Sequence, residues 1–322
     1  MASPHATFTE LVSTTMRNHS KDIADAISNS NVLYARMQSG GMKRRESGGL
    51  SIVTPLEYAE NQTYQRFSGY DVLNVGASEV LTSAEFQWRQ IALNVTASGQ
   101  ELRINAGQRI LNLAKTRIKN AVKTFKNNFS YDMYSDGTLP NQINGLAALV
   151  SDSGTGTVGG IDSSVWSFWA NVVQSAAAPL QGGGAVTMSA TTIEKQMQIL
   201  YQTLIRGNDR PNLAIADMNY FTMYEDSQLS LKRYTQAEKA KGGFMSLMYK
   251  DMEVVYDGDS GIPANRMYFL DTSTLELVVH EDADLNELPE AKPYNQDASV
   301  TPFIWMGNLT VSNRARNGIM KP

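Results

Sequence analysis

The chain has 322 residues, a formal net charge of −4 at pH 7 and no cysteine, which excludes disulfides, thiolate metal sites and cysteine nucleophiles. It has neither an apolar run near the roughly 18 residues of a membrane span nor a secretory signal, so we expect synthesis inside the cell without export by that route. Charged residues make up only 19% of the chain. Residues 1–128 contain 15 basic and 10 acidic side chains, whereas residues 129–322 contain 13 basic and 22 acidic ones. This asymmetry predicts a molecule with one basic and one acidic side.

The N-terminal segment is predicted to be an arm joined to a body. Apolar spacing predicts helical structure over 6–38. Two glycine pairs then bracket a cluster of basic residues, which predicts a flexible basic link over 40–49. Residues 1–49 are therefore not expected to fold as a free-standing domain.

Residues 51–98 are rich in aromatic and β-branched side chains. Extended runs at 64–67 and 86–95 predict the arms of a long β-hairpin with an elaborate tip at 68–78, and a change of phase near Arg89 predicts a bulge. An isolated two-stranded hairpin is marginal in water, so we expect a neighbouring chain to cover its aromatic side chains. The predicted inter-subunit contacts are Tyr64, Phe67, Tyr70, Phe86 and Trp88.

Residues 104–129 give the strongest helical pattern, with apolar side chains recurring at spacings of three and four. No acidic residue occurs between Leu102 and Tyr131, where seven are basic. These basic residues form either a solvated helix face or, as we favour, a surface that binds a polyanion through its phosphate charge. The candidate DNA-facing residues are Lys115, Lys119, Lys123 and Lys126.

The second half alternates short apolar segments with glycine-rich loops, which indicates a mixed α+β fold. A helix is predicted over 192–206 and another over 218–226. Strands are predicted at 213–216, 252–256, 267–270, 275–280 and 303–312.

Three features in this half have both a functional and a structural interpretation. Gly154-x-Gly156-x-x-Gly159 matches the dinucleotide-binding pattern, but residues 178–186 lack the required acidic residue, so a surface loop is favoured. The acidic run starting at His280 lacks calcium-loop spacing and is interpreted as a solvated face. The group 166–169 is interpreted as core packing rather than a ligand platform. We expect no catalytic residue, metal site or cofactor.

The ordered set of segments resembles the major capsid proteins of tailed bacteriophages, which have the Hong Kong 97-type shell fold. The resemblance is carried by Thr54-Pro-Leu-Glu-Tyr-Ala-Glu-Asn61, Ser68-Gly-Tyr-Asp71, Gly137-Thr138, residues 154–162, Trp166-Ser-Phe-Trp169, Arg206-Gly-Asn-Asp-Arg-Pro211 and Asn313-Arg314. It extends over nearly the whole chain, although no single motif is diagnostic.

The resemblance implies a division of the chain into the parts of that fold. The implied parts are an N-terminal arm (1–49), an extended β-hairpin loop over a neighbouring subunit (50–103), the spine helix of a peripheral domain (104–136), an axial domain (137–280) and the C-terminal part of the peripheral domain (281–322).

The resemblance also implies function and partners. It implies a non-enzymatic subunit that assembles through pentamers and hexamers into an icosahedral shell around double-stranded DNA, located in the virion and assembled in the bacterial host cytoplasm. Some members crosslink through a lysine of the extended loop, but no lysine lies between Lys43 and Lys115, so noncovalent contacts or a decoration protein are expected. The absence of a long segment before the arm favours a separate scaffolding protein, and a portal is expected.

Two other classes of protein remain as alternatives. An encapsulin-type nanocompartment shares the shell fold but houses protein cargo. An enzyme with a nucleotide site on the 154–160 loop is the other, and binding of a labelled dinucleotide would support it.

Overall fold

The computed structural model describes residues 32–39, 41–100, 108–230, 246–257 and 261–322. Five helices lie in these ranges: α1 Val32–Ser39, α2 Gln108–Met133, α3 Leu146–Leu149, α4 Ile193–Leu204 and α5 Met218–Ser230. The fourteen strands are β1 Lys43–Glu46, β2 Ile52–Glu57, β3 Leu81–Phe86, β4 Arg89–Ser98, β5 Thr157–Val158, β6 Ile161–Asp162, β7 Val172–Ser175, β8 Leu213–Ala216, β9 Ser246–Tyr249, β10 Met252–Tyr256, β11 Met267–Leu270, β12 Leu275–Glu287, β13 Ala298–Val311 and β14 Gly318–Lys321.

A six-stranded mixed sheet, in the order β7-β14-β11-β8-β10-β9, forms one half of the fold. Its central strands β8 and β11 are buried at every position, as expected for short apolar runs covered on both faces. Alternate residues point to opposite faces: Ala214 and Ala216 pack with α4 and α5, whereas Leu213 and Ile215 face the larger core.

A four-stranded sheet, in the order β1-β12-β13-β4, forms the other half. The long strands β12 and β13 pair antiparallel, with register shifts between Val279 and Asp284. Helix α2 packs against this sheet through Phe129, whose ring lies 5.0 Å from that of Trp305. Tyr34 of α1 meets the same Phe129 ring edge-on at 5.6 Å, so α1 is anchored to the long helix.

The predicted flexible link is wrong for part of its length. Residues Lys43–Glu46 form β1, which pairs parallel to Leu277–His280. Lys43 Nζ lies 2.7 Å from Asp284 Oδ2, and Arg45 donates to the same carboxylate at 3.0 Å. The basic residues therefore bind an acidic strand that lies more than 200 positions later in the chain. Of the predicted helix over 6–38, residues 6–31 lie outside the described part.

The last strand does not follow the predicted division of the chain. Residues 281–322 were expected to complete the part of the fold that contains the long helix. Strands β12 and β13 do lie beside β4, but β14 pairs with β11 and β7 in the six-stranded sheet. The C-terminal segment thus ties the two halves together.

Candidate assembly surfaces

Strands β2 and β3 form a hairpin that presents a long loop, residues 58–80. The strands pair antiparallel from Ile52↔Phe86 to Glu57↔Leu81. The predicted hairpin is therefore present, but its arms differ from those expected. Residues 64–67 are not a strand, and β4 leaves the hairpin to pair with β13. The phase change near Arg89 marks the passage from one sheet to the other rather than a bulge.

The tip of this loop is organised by its own polar side chains. Gln65 reaches across it, donating from Nε2 to Val72 O at 3.0 Å and accepting from Asn74 N at 3.3 Å. At the apex, Asp71 Oδ2 accepts from Ser68 N at 2.8 Å. Gly69 occupies the turn at φ +46°, a region that favours glycine. These hydrogen bonds hold the tip in a defined shape without using its apolar side chains.

The apolar side chains of the tip face outward. Tyr64 is 83% exposed, Phe67 63% and Tyr70 105%. Val72 and Val75 are exposed as well. Scattered exposed apolar residues are normal on a protein surface, but a contiguous group marks an interaction site. The tip (residues 64–75) is therefore a candidate contact surface, and the role predicted for Tyr64, Phe67 and Tyr70 stays a prediction.

Phe86 lies at the opposite end of the hairpin and is only 1% exposed. It belongs to the main core of its own subunit together with Ile52 and Ala84. A Cβ added at Gly159 would lie 2.8 Å from Ala84 Cβ and 3.1 Å from Phe86 Cζ, so the backbone of the glycine loop packs directly on this position. The assignment of Phe86 to an inter-subunit contact is wrong, because the subunit itself covers the ring.

Trp88 also makes contacts within its own subunit. Its indole Nε1 donates to Gly49 O at 3.1 Å, and its ring meets His280 edge-on at 5.7 Å. The side chain packs partly buried against the main core. This ring fixes the segment before β2 to β12, and because it is only partly buried, its predicted contact with a neighbour stays a prediction.

The glycine-rich loop 154–160 supports the hairpin. Gly159 O accepts a hydrogen bond from Glu85 N at 2.9 Å, and Val158 O accepts one from Trp169 Nε1 at 2.9 Å. The segment folds into the short pair β5–β6 and continues into a single 3₁₀ turn over Ser167–Trp169. A dinucleotide site needs the glycine loop to open a helix, and the described residues after this loop form none there. The surface-loop interpretation therefore fits its structure.

The aromatic group beside this loop divides between core and surface. Trp169 is 1% exposed, as the core interpretation predicts, whereas Trp166 is 50% exposed. Tyr58, at the outer end of the hairpin, meets Trp166 edge-on at 5.8 Å and Phe168 at 5.9 Å. Part of the group thus forms a surface rather than core.

Helix α2 carries the candidate polyanion surface. It has 26 residues, about 39 Å at 1.5 Å per residue. Ile118, Phe125 and Phe129 are buried beneath it, and Lys119 and Lys123 are exposed. Lys115 and Lys126 lie on the helix, but their side chains lie outside the described part. The DNA-facing role of all four lysines stays a prediction.

The acidic run after His280 lies on β12, and its Asp284 forms the ion pairs with β1 described above. Among the residues that the structure describes, no three acidic or histidine side chains are grouped so that they could hold a metal ion. The run is therefore partly a docking strip for the basic segment rather than a wholly solvated face.

Arg314 is a structural residue that the sequence did not identify. Its side chain, between β13 and β14, is fully buried. Its guanidinium donates to Leu149 O at 2.7 Å and to Asn171 Oδ1 at 3.0 Å. Burial lowers the pKa of Arg314 to about 10, so the group remains cationic at neutral pH. It connects the loops that support the hairpin to the segment between β13 and β14.

No protein-family model matches the sequence, and no curated protein matches it either. Solved structures do match. The chain is similar to a protein of the cyanophage A-1(L) capsid asymmetric unit, with TM-score 0.60 and 16% identity over 88% of this chain and 92% of that one. The chain has the fold of tailed-phage capsid proteins. The capsid protein of the Myoviridae phage XM1 gives TM-score 0.55 and 11% identity over 89% and 91%.

This capsid fold is also seen in the satellite phage P4 procapsid, whose structure includes a size determination protein. That match has TM-score 0.51 and 11% identity and covers 100% of this chain and 92% of that one. At such identities the likeness establishes the fold and assigns no residue roles. None of the described helices has the length and hydropathy of a membrane span.

Proposed function

We propose that this protein is the structural subunit of an icosahedral bacteriophage shell, without enzymatic activity. The observation that carries the proposal is the capsid fold, which matches a phage capsid protein over 88% of the chain. The apolar tip supports it, because a folded loop with outward Tyr64, Phe67 and Tyr70 is suited to contact another subunit. Pentamers and hexamers built from such contacts would close into a shell in the bacterial host cytoplasm and become the virion capsid.

The tip supplies the contact between neighbouring subunits in this proposal. Each contact is small, but a closed shell repeats it many times, so weak individual contacts are sufficient. The hydrogen bonds made by Gln65 and Asp71 preform the tip, which lowers the entropy cost of docking. No lysine is available in this loop for a covalent crosslink, and noncovalent contact or a decoration protein would stabilise the shell.

Phe67→Asp tests the contact, with Leu139→Asp as a matched control. The two side chains are 63% and 64% exposed, so neither change should unfold the subunit. We expect Phe67→Asp to abolish shells seen by negative-stain electron microscopy while the far-ultraviolet circular dichroism stays unchanged. Normal shells from Phe67→Asp, or equal loss from Leu139→Asp, would contradict the role of the tip.

Helix α2 would face double-stranded DNA inside the shell and bind it through phosphate charge alone. Exposed Lys119 and Lys123 support this, because the helical segment Gln108–Tyr131 contains no acidic residue to neutralise them. A scaffolding protein and a portal would complete the particle.

Replacing Lys119 and Lys123 by alanine tests the DNA contact. Each lost phosphate contact should lower the slope of log affinity against log salt by about 0.9, so packaged DNA should leave the double variant at lower salt. Exposed Lys195 and Lys292, both outside α2, provide a control with the same loss of charge. Equal DNA retention by the two double variants would contradict the assignment. An encapsulin-type shell would instead contain protein and no nuclease-protected DNA.

A further inference from the structure

A surface cleft of about 510 Å³ lies where the hairpin loop meets the glycine-rich segment. Tyr58, Trp166 and Phe168 form its aromatic wall, with rings 5.8 to 6.4 Å apart. Leu81 and Val165, which are 68% and 71% exposed, form its rim. The volume lies within the range of clefts that bind ligands, roughly 300–1,000 Å³. The cleft thus offers a preformed surface with an aromatic wall at the two ends of the loop that carries the tip.

The cleft also has a negative edge. Glu79 and Asp162 line it, and the described lining contains no basic residue. Hydrogen bonds from Ser164 Oγ at 2.7 Å and Ser164 N at 2.9 Å hold the Asp162 carboxylate in place. They also lower the pKa of Asp162, which keeps it ionised at neutral pH. An occupant that combines a cation with an aromatic or apolar group would match both parts of the cleft.

The tip has that combination. Arg66 is the one basic residue of the loop 58–80, and in the sequence it stands between Tyr64 and Phe67, whose rings are exposed. A guanidinium can pair with a carboxylate and stack on an aromatic face at the same time. The next residue, Phe67, supplies an apolar ring that a cleft of this volume can accommodate.

We infer that the cleft is the socket for the hairpin tip of a second copy of this chain, with Arg66 beside Asp162 and Glu79, and Phe67 against Tyr58 and Trp166. The inference deepens the proposed shell function and rests on it. Tip and cleft are different surfaces, so the contact is head-to-tail. Contacts of this type generate closed rings when the rotation between subunits closes, as pentamers and hexamers require.

Disulfide trapping tests the contact directly, because the chain has no cysteine of its own. Phe67→Cys and Val165→Cys in one chain should give covalent ladders on non-reducing gels of assembled particles, since disulfides form only when the Cα atoms come within about 7 Å. The control pairs Phe67→Cys with Leu139→Cys, an equally exposed residue outside the cleft. Shells of the first variant without ladders, or equal ladders from the control, would overturn the inference.

Charge reversal provides a second test with a rescue. Arg66→Glu places like charges together, which is costly at a contact, and should raise the protein concentration needed for assembly at least about tenfold. Asp162→Arg should do the same, and the double variant should assemble close to the wild-type concentration. Assembly of the double variant no better than that of either single variant would overturn the socket, as would normal assembly of Asp162→Arg. Shells that persist in all these cases would leave the proposed function intact, whereas a wild-type chain that never assembles would contradict that function instead.

Discussion

Phe86→Ala separates the core of the subunit from its contact surface. The ring is 1% exposed, and truncation of a buried phenylalanine costs about 3–5 kcal/mol. The backbone at Gly159 approaches the ring directly and is itself held by the hydrogen bond from Glu85. Because this wall cannot collapse into the cavity, we expect a loss of about 4 kcal/mol in the free energy of unfolding.

Urea denaturation of dilute, unassembled subunits, followed by tryptophan fluorescence, measures this loss. With a slope of about 3 kcal/mol per M, the midpoint of Phe86→Ala should fall by more than about 1 M. Phe67→Ala is the matched control: its ring is 63% exposed, so the free energy of unfolding should change by less than about 0.5 kcal/mol. Equal midpoints for the two variants would refute the distinction between a buried hairpin base and a free tip.

Three further changes test other parts of the fold. Arg314→Ala removes the donor to the buried Leu149 carbonyl and one of the donors to Asn171 Oδ1, which keeps the hydrogen bond from Ser151 N. It should lower the free energy of unfolding by about 2–4 kcal/mol; a urea midpoint equal to wild type would contradict this. Gly159→Ala puts a Cβ 2.8 Å from Ala84 Cβ and should destabilise by at least about 1 kcal/mol more than Gly182→Ala. Gly182 has a similar positive φ of +73° but nothing within 4 Å of the added Cβ, so the difference reports the steric contact alone. Asp284→Asn removes the carboxylate that pairs with β1; amide exchange over 43–46 should accelerate about fivefold, and unchanged exchange would count against the clamp.

The elements that could be predicted from the sequence are those determined by local apolar patterns. Strands β8, β10 and β11 begin and end where their apolar runs do. Helix α4 begins and ends within two residues of its predicted bounds for the same reason. The apolar side chains of each segment are enough to predict that it is buried, whichever elements pack against it.

The errors concern segments whose structure depends on distant partners. The basic segment 43–46 has no strand pattern of its own, and it pairs because β12 offers an edge and Asp284 a counter-charge. Residues 64–67 have strand-forming side chains but no partner strand. Phe67 and Phe86 are the same residue type in the same hairpin, and the ring of Phe86 is buried because Ile52, Ala84 and the backbone at Gly159 pack around it.

The candidate contact surface was predicted in part. The sequence shows that this loop is rich in aromatic residues, and this was enough to select Tyr64, Phe67 and Tyr70 as candidate contact residues. The cleft was not visible, because it joins residues 58, 79–82 and 160–168, which only the tertiary fold brings together. The burial of Arg314 likewise depends on acceptors from residues 149 and 171.

Electron cryomicroscopy of the purified chain, expressed alone and together with its neighbouring genes, tests the central claim most directly. We predict closed icosahedral shells in which the tip of each subunit, residues 64–75, is covered by an adjacent subunit. Dispersed subunits under both conditions, or shells in which Tyr64, Phe67 and Tyr70 face solvent, would contradict the account.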